Sequence, residues 1–362
     1  MKVPRKEIIL TAALIFSFVC SLAQQTKILT AEKHNEYGIV YSLPSTALKI
    51  RVTATKETRK AGPYYKYAQK YAGTDKVVKQ DEVVWTIKSV NILPYGIPND
   101  DQRYLMQLKA GAITFVAVDA DGMLLAINAK PDETVEEQTA VAIADDKIKL
   151  SDNEYLQYVN EDFISAQSSA KQAQMLSEEL MEIRDAKISL TRGTADAMPT
   201  DGRQLEIMLN SLARQEAALM AAFTGETNSE TVVREFNYLP KQNGREILFR
   251  FSDFAGFVEA DNYAGEPVYI DIKVTEEATM PVDSKGETKK LPKDAVMYAL
   301  PGSALTTVSF KGSTLESIET EMAQFGTVFG LNPSIFTDKK EPSYAIFDPA
   351  TGALLELGTQ KD

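Results

Sequence analysis

Apolar and polar residues alternate over positions 38–55, with Ile39, Tyr41 and Leu43, then Leu48, Ile50 and Val52, spaced two apart. That period predicts a strand with one buried face, and Pro44 within it predicts an edge position or a bulge between two short strands. Gly62-Pro63 then opens a short helix, proline suiting a first turn. Tyr64, Tyr67 or Ala68, and Tyr71 fall along one of its faces, and Gly73 closes it. Alternation resumes at 83–93, where Val83, Trp85, Ile87 and Val90 form the buried set. Further strands are expected at 104–108, 113–118 and 123–127, the last two joined by the hairpin-turn sequence Asp119-Ala120-Asp121-Gly122.

Beyond residue 159 the period changes to threes and fours. Asn160 is placed to cap a helix reaching about Leu190, apolar at Phe163, Ala166, Ala170, Ala173, Leu176, Leu180 and Ile183. Residues 191–199 break it. Asp201 and Gln204 read as a capping box for a second helix, striped by Leu205, Met208, Leu212, Leu219 and Phe223 and stopped at Gly225. The short connection predicts an antiparallel helical hairpin. Strand patterning returns at 232–239, 246–251 and 268–275, and the charged stretch 281–293 reads as a hairpin tip or loop.

One phrase occurs twice. Tyr41-Ser42-Leu43-Pro44-Ser45-Thr46-Ala47-Leu48 returns as Tyr298-Ala299-Leu300-Pro301-Gly302-Ser303-Ala304-Leu305. A second echo follows in the same order: Asp119 to Leu125 is answered by Asp348 to Leu355, with one extra turn residue. Ordered echoes predict two ends that fold alike around an insert. The expected fold is α+β: two related β-rich units, as sandwich or partly open barrel, with an inserted antiparallel helical hairpin. The divisions are 1–23, 24–130, an acidic linker at 131–159, the hairpin at 160–225 and a second β-rich unit at 226–362.

Residues 1–23 alter the picture of location. Lys2, Arg5 and Lys6 precede an apolar run at 8–20, and Ser21-Leu22-Ala23 has the small-x-small form of an export cleavage site. The run is too short to span a bilayer as a helix. A periplasmic or secreted protein cut near Ala23 is expected, not membrane-spanning. The cut would remove Cys20, the single cysteine, and take the formal charge from −12 to −14. Such a chain holds together by its core without disulfides and lacks the basic balance of a nucleic-acid binder.

Chemistry is sparse. The one histidine, His34, lies in a polar stretch near the expected new terminus, so histidine-dependent triads and Cys/His zinc sites are not expected. Asp100-Asp101 and Asp253, Glu259 and Asp261 read as solvated loop acids. Asp119-x-Asp121-Gly122 reads as a turn, because the second echo keeps the glycine and replaces the second acid with Thr351. No glycine-rich phosphate loop or dinucleotide fingerprint is present, and no cofactor is expected. Tyrosine is uneven, eight of 15 falling between residues 37 and 104. Tyr64, Tyr67 and Tyr71 are the candidate binding residues, as a platform for sugar rings or a protein partner, against the plainer reading as the rim of a β core.

Residues 38–44, Ala61-Gly62-Pro63, the 95–104 stretch, Asp201-Gly202, Phe223-Thr224-Gly225 and residues 248–252 resemble an uncharacterised domain-of-unknown-function family of exported proteins from gut-type Gram-negative bacteria. The resemblance covers nearly the whole mature chain. It implies the same export route and no assigned activity. The expectation is a non-enzymatic periplasmic binding or scaffolding protein of the cell envelope, its partner an envelope protein or a glycan. The alternative is a carbohydrate-binding or carbohydrate-active protein using the tyrosine-rich first unit.

Overall fold

The computed structural model describes residues 26–28, 38–106, 115–131, 148–336 and 342–359. Residues 1–23, expected to direct export, and most of the expected acidic linker lie outside the described residues. The fold is α+β, three antiparallel sheets with a helical layer at one end.

The first sheet has the order β1-β3-β2-β6, from β1 (Thr26–Ile28), β2 (Ile39–Lys60), β3 (Glu82–Met106) and β6 (Glu226–Tyr238). The two short strands expected around Pro44 are one 22-residue strand, bulged between Ser42 and Pro44. Likewise β3 is continuous across 82–106, where separate strands were expected. Pro94 and Pro98 sit opposite Leu48 and Pro44, where β3 is paired on one side only. A missing N–H costs no ladder bond there. Alternation in β2 holds at Leu48, Ile50, Val52 and Ala54 but fails at 41–44, which is buried throughout because structure covers both faces.

A second sheet of order β11-β10-β9-β7-β8 packs on the first. Its strands are β7 (Gly244–Ser252), β8 (Gly256–Val258), β9 (Glu266–Glu276), β10 (Val296–Phe310) and β11 (Ser313–Leu331). The shared core joins Leu48, Ile50, Val52, Val90 and Ile92 to Phe249, Phe251, Val268, Ile270 and Val308. Each such side chain contributes about 1.5–3 kcal/mol by leaving water. The third sheet, β13-β12-β5-β4, comprises β4 (Val116–Val118), β5 (Leu124–Ile127), β12 (Ser343–Phe347) and β13 (Leu354–Thr359). It closes the end of the sandwich over Tyr41, Leu43, Tyr104 and Val296.

The echoes meet the same surroundings. β2 lies between β3 and β6, and β10 between β11 and β9. Ser42 N–H donates to Gly122 O at 2.9 Å, and the matching Ala299 N–H donates to Gly352 O at 2.9 Å. Both turns fold on their first aspartate: Asp119 Oδ1 accepts from the N–H of Asp121 and Met123, and Asp348 Oδ1 from that of Ala350. Gly122 and Gly352 carry φ of 81° and 72°, the left-handed region that favours glycine. Strand pairing nevertheless crosses the divisions drawn from the sequence. β6, which follows the helices, joins β2, and β12 joins β5.

The helical layer holds α1 (Ala68–Tyr71), α2 (Glu161–Ser165), α3 (Ser169–Arg192) and α4 (Gly202–Thr224). The single helix expected from Asn160 is two. Asn160 caps α2 through Phe163 N–H, but Ala166 is extended and Ser168 caps a fresh start. Serine competes for backbone bonds, and Phe163 is drawn into a cluster with Tyr64 and Tyr155. α3 ends at Gly193 with Thr194 N–H donating to Ser189 O, a Schellman closure. Asp201 Oδ1 accepts from Gln204 N–H at 2.8 Å to start α4. α3 and α4 form the hairpin, sealed proximally by Leu176, Leu180, Ile183, Leu219 and Phe223.

Candidate functional site

The helical layer docks where β2 ends, and two glycines make the approach possible. A Cβ on Gly62 would stand 2.5 Å from Ala222 O, and one on Gly225 2.4 Å from Lys60 O. The backbone of β2 therefore touches the end of α4 directly, and Tyr64 N–H donates to Ala222 O at 2.9 Å.

The three candidate tyrosines face this joint. Tyr64 is 6% exposed, packed edge-on to Tyr155 and Phe163, and its hydroxyl donates to Gln172 Oε1 at 3.2 Å. Burial, reinforced by Tyr155, pushes its pKa up to about 12. Tyr67 and Tyr71 are half-buried. The Tyr67 hydroxyl meets Ser169 Oγ at 3.1 Å, and Ser177 Oγ donates to Tyr71 O. The spacing placed these rings on one face correctly, and that face is turned to α3 and α4. A sugar platform needs an open ring, and Tyr64 offers none.

Beside the tyrosines lies a cleft of 240 Å³ lined by Lys60, Asp81, Asp152, Glu154 and Glu226. Glu154 is its structural key. The buried carboxylate takes a bidentate pair from Arg214 of α4, 2.6 Å from Nε and 2.7 Å from Nη2, and also accepts from Ser151 N–H and Oγ–H. Hydrogen bonds from Arg214 hold its pKa down at about 2 against the opposing effect of burial. Lys60 pairs with Asp152, and Asp81 accepts from Ala61 N–H at 2.7 Å. Burial raises the pKa of Glu226, opposed by Lys60 and reinforced by Asp152 and Glu154. Three of the four carboxylates are thus engaged in holding the joint, an arrangement suited to fixing two layers together. Among the described residues no group of three or more His, Cys, Asp or Glu side chains is placed to hold a metal ion.

Sequence reasoning assigned Glu154 to the acidic linker. Its signal was present: Ser151-x-x-Glu154 is a capping-box pattern, and Glu154 reaches back to Ser151 N–H as that pattern requires. The loop acids Asp253, Glu259 and Asp261 are exposed, with Asp253 paired to Lys311.

A family model described as a domain of unknown function, DUF4831, matches residues 37–355. The chain belongs to this family. The DUF4831 match takes in the tyrosine face, the cleft and the helical hairpin. No curated protein and no solved structure matches the chain. Among the described residues no helix is long and apolar enough to cross a membrane.

Proposed function

We propose that this protein is a non-enzymatic binding or scaffolding protein of the cell envelope, and that the distal half of its helical hairpin is the docking surface. The observation that carries the reading is the apolar surface left open there. Ile207 is 61% exposed, and Ile188, Met198 and Met208 are exposed as well. Next to them a groove of 510 Å³ runs between the helices, lined by Ala186, Leu190, Ala197, Met208 and Leu212. Small side chains on the walls and adaptable methionine at the rim suit an apolar helix of a partner, laid in as a third member. Residues 1–23 support delivery to the periplasm or the medium, with cleavage near Ala23. The engaged carboxylates of the cleft support binding rather than turnover.

A photoreactive residue at position 207 in the native host tests this. A discrete crosslinked band is expected, lost in Met208→Glu while the melting temperature moves by no more than about 2 °C, as for other exposed positions. No discrete band from position 207 or 188, or a band indifferent to Met208→Glu, would sink the reading.

A further inference from the structure

The two most exposed large apolar side chains among the described residues lie in the loops that flank β8 of the second sheet. Phe254 is 80% exposed in the turn between β7 and β8, and Tyr263 is 85% exposed in the loop between β8 and β9. Both are held in place. Ser252 Oγ accepts from the N–H groups of Phe254 and Ala255, each at 3.3 Å. Arg250 points outward between the core residues Phe249 and Phe251 and clasps the second loop, donating from Nε to Ala260 O at 2.8 Å and from Nη1 to Gly265 O at 3.0 Å. Its guanidinium lies 4.7 Å from the centre of the Tyr263 ring. One face of that ring is backed by a fixed cation and the other is open to solvent. Phe254 follows Arg250 by four residues, so it stands within about 13 Å at ~3.3 Å per residue. The rim carries the exposed carboxylates Asp253, Glu259, Asp261 and Glu266, with Lys311 bridging Asp253 and Glu266.

We propose that this end of the second sheet is a binding site for a neutral glycan, with Tyr263 and Phe254 stacking on sugar rings and the carboxylates accepting from sugar hydroxyls. A pyranose presents an apolar C–H face edged by hydroxyl donors, which matches open aromatic faces ringed by acceptors. The acidic rim repels polyanions and anionic lipid headgroups, which sets a neutral sugar apart from nucleic acid or a membrane. Loops already pinned by Ser252 and Arg250 lose little freedom on binding. The site uses no residue of the helical hairpin and stands independently of the docking reading above.

Affinity electrophoresis of the full chain through gels containing soluble starch, mannan or β-glucan tests it. Retardation is expected in at least one gel. Tyr263→Ala or Phe254→Ala should weaken it about threefold to tenfold, and the double variant should abolish it. Both rings are exposed, so the melting temperature should stay put and separate lost binding from lost folding. No retardation in any of the three gels overturns the proposal, as does undiminished retardation of the double variant. Flotation with phosphatidylethanolamine vesicles that depends on Phe254 would also overturn it, assigning the rings to a lipid surface.

Discussion

Gln324 on β11 offers the sharpest test of how the two sheets are joined. β6 begins to pair with β2 only at Leu48, so Thr46 lacks a strand neighbour on that side. The Gln324 amide fills the place: Oε1 accepts from Thr46 N–H at 2.9 Å, and Nε2 donates to Thr46 O at 2.9 Å and Pro240 O at 3.0 Å. Thr46 itself is fully buried, and its hydroxyl donates to Ala350 O while accepting from Ala323 N–H. In Gln324→Ala the Thr46 N–H stays buried without an acceptor, which costs about 1–3 kcal/mol, and the other two bonds add about 0.5–1.5 kcal/mol each. A loss of about 2–6 kcal/mol is expected in all, a fall of several degrees in melting temperature for a chain of this size. Gln324→Glu should be worse at neutral pH, because a carboxylate oxygen would face two carbonyls, and its defect should shrink as acid protonates it. Urea unfolding followed by fluorescence of Trp85, the single tryptophan, reports on the sandwich core. Far-UV circular dichroism reports on the helices. If Gln324→Ala unfolds within about 0.5 kcal/mol of wild type, or Gln324→Glu proves the milder change, the account of the amide as a surrogate strand is wrong.

Glu154, held at about 2 against an ordinary 4.5, contributes stability that is complete above the unfolded value and is lost as the pH falls from 4.5 through about 2. Acid titration of helix content should show that slope in wild type and a flatter one in Glu154→Gln, while Arg214→Ala at neutral pH should cost about 2–3 kcal/mol by stranding a buried carboxylate. Thr306 Oγ1 is buried in β10 without a protein hydrogen-bond partner, so Thr306→Val should be neutral or stabilise by up to about 1 kcal/mol in the same urea assay; a loss above that would mean the hydroxyl is satisfied. A Cβ on Gly96 would stand 2.0 Å from Pro349 O, so Gly96→Ala should cost about 1–3 kcal/mol by displacing the turn that Thr46 grips; an unchanged unfolding midpoint would show that the turn yields freely.

What the sequence disclosed depended on the range of the interaction. The caps at Asn160 and Asp201, the stop at Gly225 and the stripe through Leu176, Leu180 and Leu219 are readable because each is settled within a turn or two of helix. The repeated phrase was readable as identity, and its shared hydrogen bond to a turn glycine gives that identity a structural meaning. Proline at 44 marked a bulge, as expected, but did not end the strand: whether it does depends on which side of the ladder is occupied, a fact of the partner strand. The face of Tyr64, Tyr67 and Tyr71 followed from spacing, but what it faces did not, since α3 and α4 arrive a hundred residues later. Gln324 and Thr46 carry no local mark at all. The exposed pair Phe254 and Tyr263 escaped notice because aromatic residues in a strand-rich stretch read first as core.

The order in which the contacts of β2 become available has a consequence for the newly made chain. β2 and β3 can pair early, but the second edge of β2 waits for β6, with Arg51 and Glu235 separated by 184 positions. The Tyr41 hydroxyl waits 256 residues for Met297, and Thr46 waits 278 for Gln324. At about 5–20 residues per second, that leaves the central strand half-clothed for roughly 10–60 s on the ribosome. An open, apolar strand edge of that persistence is an invitation to pair with a neighbour emerging from the same message. Yield in a foreign host should therefore depend on holding factors and on the pace of translation more steeply than the stability of the finished fold would suggest.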